Sequence, residues 1–266
     1  MALLEARSVT VRFAGVVAAR YVSIGIDPGE VVGLIGPNGA GKTTVLGVLS
    51  GFVRPSEGRV VMDGRDVTEW AAERRAAAGL ARTFQRLELF WTMTVRDNLL
   101  VAAEARFAEA EFVADLAGRR RRGQAAEVAA AVEARLGLRP VASRVADELP
   151  LGLGRLVEIA RALCTGPRIL LLDEPASGLD ESETLRLREV LREIARDDGL
   201  GVLLVEHDLS LVMDLSDRVT VMDFGSVIAE GTPEEVRADP AVQAAYLGTE
   251  LVPDGEEVRR AGAARG

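Results

Sequence analysis

The stretch GPNGAGKTT, which spans Gly36–Thr44, decides the fold of this chain. It fits the phosphate-binding pattern G-x-x-x-x-G-K-[ST] at four positions, namely Gly36, Gly41, Lys42 and Thr43. The apolar run at residues 31–35 predicts a buried strand before the loop, and residues 44–49 predict a helix after it. In that context, backbone N–H groups and the positive end of the helix point at a bound phosphate.

The chemistry of this loop predicts a nucleoside triphosphate with Mg²⁺ as the ligand. We expect Lys42 to reach the β- and γ-phosphates and the Thr43 hydroxyl to bind Mg²⁺. Lys42 is the only lysine in the chain, and a compact ammonium fits a tight loop where a planar guanidinium does not. The alternative, a glycine-rich turn with a surface lysine, does not account for the flanking strand and helix. The residues expected to bind the nucleotide are Gly36, Pro37, Asn38, Gly39, Ala40, Gly41, Lys42, Thr43 and Thr44.

Composition and charge narrow the class of protein. A chain of 266 residues, 48% hydrophobic and 27% charged, can hold one large domain or a core with a subdomain. Its net charge of −9 argues against a nucleic-acid partner. The single cysteine, Cys164, permits no internal disulfide and predicts a small core residue in a reducing cytoplasm. We find no apolar run of membrane-spanning length and no signal-peptide pattern, so we expect any membrane link to go through a partner.

Apolar runs alternate with helical patterns along the chain, which predicts an α/β fold with a mostly parallel, helix-covered sheet. Residues 3–24 predict an antiparallel β part at the N-terminus. Residues 94–148 are rich in Ala, Glu and Arg and predict an inserted helical subdomain of roughly residues 87–165. We expect one domain over residues 1–249 and a mobile tail over residues 250–266, which have little to bury.

Two features leave alternatives open. Phe13 follows the first predicted strand and is a candidate to stack on an adenine ring, but a half-buried strand aromatic explains it equally well. The basic cluster Arg119–Arg122 stands out in an acidic chain, and we interpret it as a solvated loop between helices.

Four residues that the motifs single out each follow a predicted strand: Gly36, Gln85, Asp173 and His207. The strand before Gln85 is predicted over residues 80–84. Ligands of parallel sheets bind beyond the carboxyl ends of the strands. We therefore expect these residues to converge on one edge of the sheet, although they are far apart in sequence.

The residue types at this edge indicate ATP hydrolysis. Asp173 suits the shell of a hard cation, and Glu174 is placed to activate water at the γ-phosphate, with a helix N-cap as the alternative. His207, the only histidine, is expected to contact the γ-phosphate or the water, although a lone histidine is usually structural. Gln85 is expected to complete the Mg²⁺ or water shell, with a surface amide as the alternative.

Together these motifs resemble the ATP-binding subunit of an ATP-binding cassette (ABC) transporter over about residues 3–249. Five motifs carry the likeness. They are the Walker A loop (Gly36–Thr44), the Q-loop glutamine (Gln85), the Walker B strand (Ile169–Glu174), the D-loop (Ser177–Asp180) and the switch histidine (His207). Within the family the chain is most similar to subunits of branched-chain amino acid importers, through residues 81–102, 157–163, 204–219 and 230–248.

The resemblance implies a P-loop NTPase cassette that binds ATP and Mg²⁺. It also implies a head-to-tail dimer with a second ABC ATPase subunit, in which Asp180 lies at the dimer contact. The partners implied are integral membrane permease subunits and, indirectly, a solute-binding protein. The chain would then lie at the cytoplasmic face of the membrane, held there by the permease.

One motif departs from the family pattern. Where the family has the signature L-S-G-G-Q, this chain has Leu149-Pro150-Leu151-Gly152-Leu153. Pro150 replaces a serine whose hydroxyl, in the family, contacts the γ-phosphate of the opposite ATP, and proline has neither hydroxyl nor N–H. We therefore expect a weakened contribution to the partner's ATP and favour a heterodimer over a homodimer. The alternative is that Gly152 and the helix N-terminus supply enough backbone donors.

The favoured function is ATP hydrolysis that drives import of branched-chain or related amino acids. The main alternative is the ATPase subunit of an exporter of lipid or lipopolysaccharide. A soluble ABC ATPase acting on DNA or ribosomes fits the acidic charge less well, and we find neither a coiled-coil insertion nor a second cassette. A GTPase would need an N-K-x-D motif, which is impossible because the only lysine is Lys42.

Overall fold

The computed structural model describes residues 2–107 and 115–246 of the chain. Its strands are β1 Leu4–Phe13, β2 Val16–Ile26, β3 Val31–Ile35, β4 Glu57–Met62, β5 Arg65–Asp66, β6 Leu80–Arg82, β7 Ile169–Asp173, β8 Gly201–Val205, β9 Arg218–Asp223 and β10 Ser226–Gly231. Its helices are α1 Lys42–Ser50, α2 Ala72–Ala77, α3 Val95–Arg106, α4 Asp115–Arg135, α5 Leu151–Cys164, α6 Glu181–Asp198, α7 Leu209–Leu215, α8 Pro233–Ala238 and α9 Pro240–Ala245.

The strands form two sheets. An antiparallel sheet has the order β2-β1-β4-β5, and a larger sheet has the order β10-β9-β3-β8-β7-β6. In the larger sheet every neighbouring pair from β9 to β6 is parallel, and β10 is antiparallel to β9. This confirms the predicted α/β fold, with a mostly parallel sheet and an N-terminal antiparallel part.

The parallel strands are buried on both faces. Every residue of β3, β7 and β8 is buried, and alternate residues of each strand enter different apolar clusters. Val32 and Leu34 pack with α1 and the antiparallel sheet, whereas Val31 and Ile35 pack with the helices on the other face. This double burial explains why these strands read as continuous apolar runs in the sequence.

The inserted segment is helical, as predicted. Helix α3 begins at its N-cap Thr94, whose hydroxyl accepts a hydrogen bond from the backbone of Asp97, and it packs between α4 and α5. The prediction of a loop at Arg119–Arg122 is wrong, because these residues lie within α4, a stretch dominated by the strong helix formers Ala, Glu and Arg. The subdomain bounds remain a prediction, and the predicted tail lies outside the described residues.

The far end of α1, the helix that follows the phosphate-binding loop, is capped by Arg75. This side chain is 1% exposed and donates to the carbonyls of Val48 and Leu49 at 2.6 and 2.8 Å. Burial lowers the pKa of Arg75 to about 10. Because the last carbonyls of a helix have no intrahelical partner, Arg75 fixes the end of α1 opposite the loop.

Candidate active site

The loop between β3 and α1 requires glycine at its close contacts. A Cβ on Gly36 would lie 2.1 Å from the carbonyl oxygen of Met222, and one on Gly41 would lie 2.3 Å from that of Ala18. The Gly41 backbone is also left-handed, with φ of 100°. The β2 and β9 backbones therefore hold the loop in a form that only glycine permits.

Lys42 lies inside this loop. Its side chain is 5% exposed, and Nζ donates to the carbonyl oxygens of Gly36 and Pro37 at 2.6 and 3.1 Å. Burial lowers the pKa of Lys42, while the nearby carboxylates of Glu174 and Asp173 oppose that shift. The ammonium thus lies inside the loop, and its contact with the β- and γ-phosphates stays a prediction.

The catalytic residues predicted from the sequence converge beyond the strand ends. Glu174 Oε2 accepts a hydrogen bond from Gln85 Nε2 at 2.7 Å, and Glu174 Oε1 contacts His207 Nε2. Glu174 follows β7 directly with a left-handed backbone, φ 50°, and its N–H donates to the carbonyl of Val205 at 2.8 Å. This strained conformation costs about 1 kcal/mol and occurs at the residue whose carboxylate contacts both Gln85 and His207.

Asp173 ends β7 and is paired with Arg82. The Nη2 atom of Arg82 lies 3.0 Å from Asp173 Oδ2, and both side chains are nearly buried. Burial raises the pKa of Asp173, and the guanidinium of Arg82 works against that rise. Since β6 ends at Arg82, two residues earlier than predicted, Gln85 is carried on a loop instead of a strand end.

The residues assigned to Mg²⁺ are hard oxygen donors. Thr43 is exposed in the first turn of α1, and Asp173 adds a carboxylate. Gln85 turns its amide nitrogen to Glu174. No group of three or more His, Cys, Asp or Glu side chains within residues 2–107 and 115–246 is arranged to hold a metal. A hydroxyl and a carboxylate fit a magnesium site completed by phosphate oxygens and water.

Phe13 lies at the end of β1 and is 50% exposed, so its ring is available to a ligand. Its assignment to adenine stays a prediction.

Helix α5 begins in the segment that differs from the family's signature motif. Pro150 is the N-cap and provides no side-chain hydrogen bond, and Leu151 is 42% exposed. A Cβ on Gly152 would lie 2.2 Å from Oε1 of Glu183 in α6. Glu183 also completes the capping box of α6 with Asp180, whose carboxylate accepts from the Glu183 backbone at 2.8 Å. The segment of residues 150–153, which includes partly buried Leu153, therefore shares one surface with Asp180.

Glu206 is a buried carboxylate that the sequence analysis did not single out. It accepts hydrogen bonds from the backbone N–H groups of Ala176, at 2.6 Å, and His207, at 3.1 Å. Burial raises the pKa of Glu206. Glu206 thereby joins Ala176, the residue before the D-loop, to His207. The sequence signal that could have found Glu206 was its position directly after an apolar strand.

Comparison with known proteins agrees with this geometry. Residues 19–177 match the family described as ABC transporter, and residues 226–252 match the family described as branched-chain amino acid ATP-binding cassette transporter. The chain is 42% identical over 250 residues to the high-affinity branched-chain amino acid transport ATP-binding protein BraF of Pseudomonas aeruginosa, covering 92% of this chain and 98% of that protein. It is 42% identical over 249 residues to LivG of Escherichia coli, with the same coverage.

A lipopolysaccharide export system ATP-binding protein, LptB of Haemophilus influenzae, is 34% identical over 251 residues, covering 94% of this chain and 99% of that protein. Among solved structures, the ADP conformation of MJ1267, an ATP-binding cassette of an ABC transporter, superposes with a TM-score of 0.80 at 30% identity, covering 93% of this chain and 99% of that one.

This chain therefore belongs to the ABC transporter family and is one of its ATPase subunits. The fold is the ATP-binding cassette of that family. Within the described ranges, the helices are all too short or too polar to cross a membrane.

Proposed function

We propose that this chain hydrolyses MgATP to power the import of branched-chain or related amino acids through membrane permease subunits at the cytoplasmic face. The observation that carries the proposal is the meeting of Gln85, Glu174 and His207 beside the lysine of the phosphate-binding loop. These groups come from separate segments of the chain. Their meeting places a base, the residues that orient it and an ammonium that can bind phosphate next to one another.

Each residue then has a distinct role. Lys42 and the loop N–H groups bind the phosphates, while Thr43 and Asp173 would hold Mg²⁺, which supplies charge neutralisation when bound. Glu174 takes a proton from the attacking water. His207 and Gln85, which contact its two carboxylate oxygens, orient that base and the water.

A groove beside the site supports permease binding. A cavity of about 490 Å³ lies between α2 and β6 on one side and helices α3 and α5 on the other. Phe52 and Phe90, 61% and 42% exposed, contribute to its rim, and Trp91, 45% exposed, lies next to it in the chain. Exposed aromatic rings around a concave surface favour a protein partner of apolar and aromatic character.

The proposed solute rests on two comparisons. The relatives with branched-chain amino acid transport in their names are 42–43% identical to this chain, against 34% for the lipopolysaccharide export proteins. The C-terminal match over residues 226–252 points the same way. Export of a lipid or lipopolysaccharide is the second candidate, supported by those more distant relatives.

We further propose a head-to-tail heterodimer with a second ABC ATPase subunit. Pro150 offers the partner's ATP neither a hydroxyl nor an N–H. With a partner that has an intact signature, the ATP site at this chain's Lys42 and Glu174 would be complete, and the site opposite Pro150 would be weak. Restoring Pro150→Ser with Leu153→Gln should raise turnover per assembled complex. Unchanged turnover would mean that backbone donors suffice.

The decisive experiment reconstitutes the chain with its co-purifying permease subunits and solute-binding protein in liposomes. We expect ATP hydrolysis and leucine uptake that depend on each other and on the binding protein. The matched control carries Glu174→Gln in this chain. Stimulation by lipopolysaccharide and not by leucine would instead establish the export function.

A further inference from the structure

The loop that carries Gln85 is fastened to helix α5 by a buried arginine. Arg155 Nη2 donates to the carbonyl oxygen of Gln85 at 2.6 Å, and Nη1 donates to that of Phe84 at 3.1 Å. The Arg155 side chain is 5% exposed. One planar guanidinium therefore fixes two consecutive peptide groups of a loop some 70 positions earlier in the chain.

Glu158, one turn further along α5, reinforces this contact. Its Oε2 pairs with Arg155 Nη1 at 3.2 Å, and its Oε1 accepts longer hydrogen bonds from the N–H groups of Phe84 and Glu88, at 3.5 and 3.4 Å. Gly154 lets the helix approach, since a Cβ there would lie 3.0 Å from Leu87 Cδ1. The loop is thus attached to α5 at Phe84 and Gln85 and again at Glu88.

The two ends of this connection face different nucleotides. Helix α5 begins at Leu151, inside the segment that we expect to face the partner's ATP, and Arg155 lies about one turn later. Gln85, on the loop held by Arg155, donates to Glu174 at 2.7 Å. Helix α5, Arg155 and Gln85 therefore link the first turn of α5 to Glu174, through one hydrogen bond to the Gln85 backbone and one from the Gln85 side chain.

We propose that Arg155 is a positioning residue for Gln85, which makes the base Glu174 move together with the partner-facing end of α5. This inference rests on the proposed ATP hydrolysis in a dimer. Arg155 makes no contact with nucleotide in this proposal, because its two terminal nitrogens, Nη1 and Nη2, donate to backbone carbonyls and to Glu158.

A double-mutant cycle in the assembled transporter tests the inference. We compare Arg155→Met, Gln85→Ala and the double variant, with Arg155→Lys as the conservative change. Arg155→Met should lower kcat about tenfold at unchanged KM for ATP, because lost orientation acts on the chemical step. In the Gln85→Ala background the same change should have little further effect, since the residue through which it acts is gone.

Two further readouts separate positioning from folding. In a Glu174→Gln background, Arg155→Met should leave the ATP concentration for half-maximal dimer formation unchanged, and Arg155→Lys should recover part of kcat. Arg186→Met is a control for the loss of an arginine-to-backbone hydrogen bond at an exposed position, since Arg186 of α6 donates to the carbonyl of Leu136 at 3.2 Å. It should leave kcat unchanged.

Fully additive effects of Arg155→Met and Gln85→Ala would overturn the inference and leave Arg155 as a packing residue. If Arg155→Met does not fold, the cycle is run with Arg155→Lys, and additivity there has the same meaning. Absence of ATP turnover in the unmodified complex would contradict the proposed function instead, so the two failures are distinguishable.

Discussion

Arg82 donates a hydrogen bond to Asp173 across 3.0 Å, so a buried guanidinium holds the carboxylate expected at the metal. The same guanidinium donates to the Ser50 hydroxyl at 2.8 Å, at the end of α1. It also lies within 5.6 Å of the Phe52 ring centroid and 5.1 Å of that of Phe84. One side chain thus connects the aromatic wall of the groove to the Walker B carboxylate.

Removing this arginine should destabilise the fold. Arg82→Met leaves Asp173 as a buried carboxylate without its partner, which costs about 3 kcal/mol of the free energy of unfolding. The double variant Arg82→Met with Asp173→Asn should recover much of that loss, because no unpaired charge remains. Urea denaturation at neutral pH measures both. Equal stabilities for the single and double variants would show that the pair is not coupled.

Lys42→Ala should abolish tight MgATP binding, and Lys42→Arg should be nearly as harmful. Lys42 is enclosed by the carbonyls of Gly36 and Pro37, and a planar guanidinium overfills that space. Equilibrium titration with a fluorescent ATP analogue measures the affinity. An arginine variant that binds like the unmodified chain would refute the packing argument.

Glu174→Gln should retain ATP binding and lose most turnover. The amide cannot accept a proton from water, and loss of a positioned base lowers the rate by roughly 10²–10⁴. The variant should accumulate as an ATP-bound dimer once its partner is supplied, visible by size-exclusion chromatography. If turnover stays within a few-fold, the base is another group, and His207 would be tested next.

Trp91→Ala should uncouple transport from hydrolysis while leaving the isolated subunit nearly as stable. The ring is 45% exposed, so its removal opens little internal space. Solute uptake per ATP hydrolysed in liposomes measures coupling, and thermal denaturation measures stability. A fall of several degrees in Tm would show instead that Trp91 is a packing residue.

Alkaline pH should destabilise the protein through Cys164. Burial raises the pKa of this thiol from 9.0 to about 12. Between these values the unfolded chain has lost a proton that the folded chain keeps, so the free energy of unfolding falls as pH rises from about 9 to about 12. The loss is about 2 kcal/mol by pH 10.5.

Cys164→Ala should flatten this pH dependence of the free energy of unfolding, with Tyr246 left as a second contributor. Burial raises the pKa of Tyr246 from 10.0 to about 12. Denaturation series at pH 8 and pH 10.5 on the unmodified and Cys164→Ala proteins give the comparison. An unchanged slope in the variant would mean that the thiol does not titrate in this range.

The parts of the structure that sequence predicts are those with a periodic or positional signal. Strands β3, β7 and β8 were predictable because burial on both faces leaves continuous apolar runs. The meeting of Glu174 and His207 followed from the rule that parallel strands end at one edge, whereas Gln85 joins them from the loop after β6.

The sequence did not predict contacts of side chains with groups that are distant along the chain. Neither Arg82 with Asp173 nor Arg155 with Gln85 leaves a pattern in the sequence, because each depends on how separate segments pack. The prediction of a loop at Arg119–Arg122 was wrong for another reason. Charge alone predicted a loop there, and the helix propensity of the surrounding residues prevailed.

The solitary lysine also makes this chain unusually simple to probe by chemical labelling. Amine-reactive esters have one side-chain target here, and the Nζ of Lys42 is engaged by two carbonyl oxygens in a nearly buried position. Acylation at that residue, read by mass spectrometry, would therefore report how often the loop opens to solvent. Protection from acylation would likewise report occupancy by nucleotide, without any label introduced by mutation.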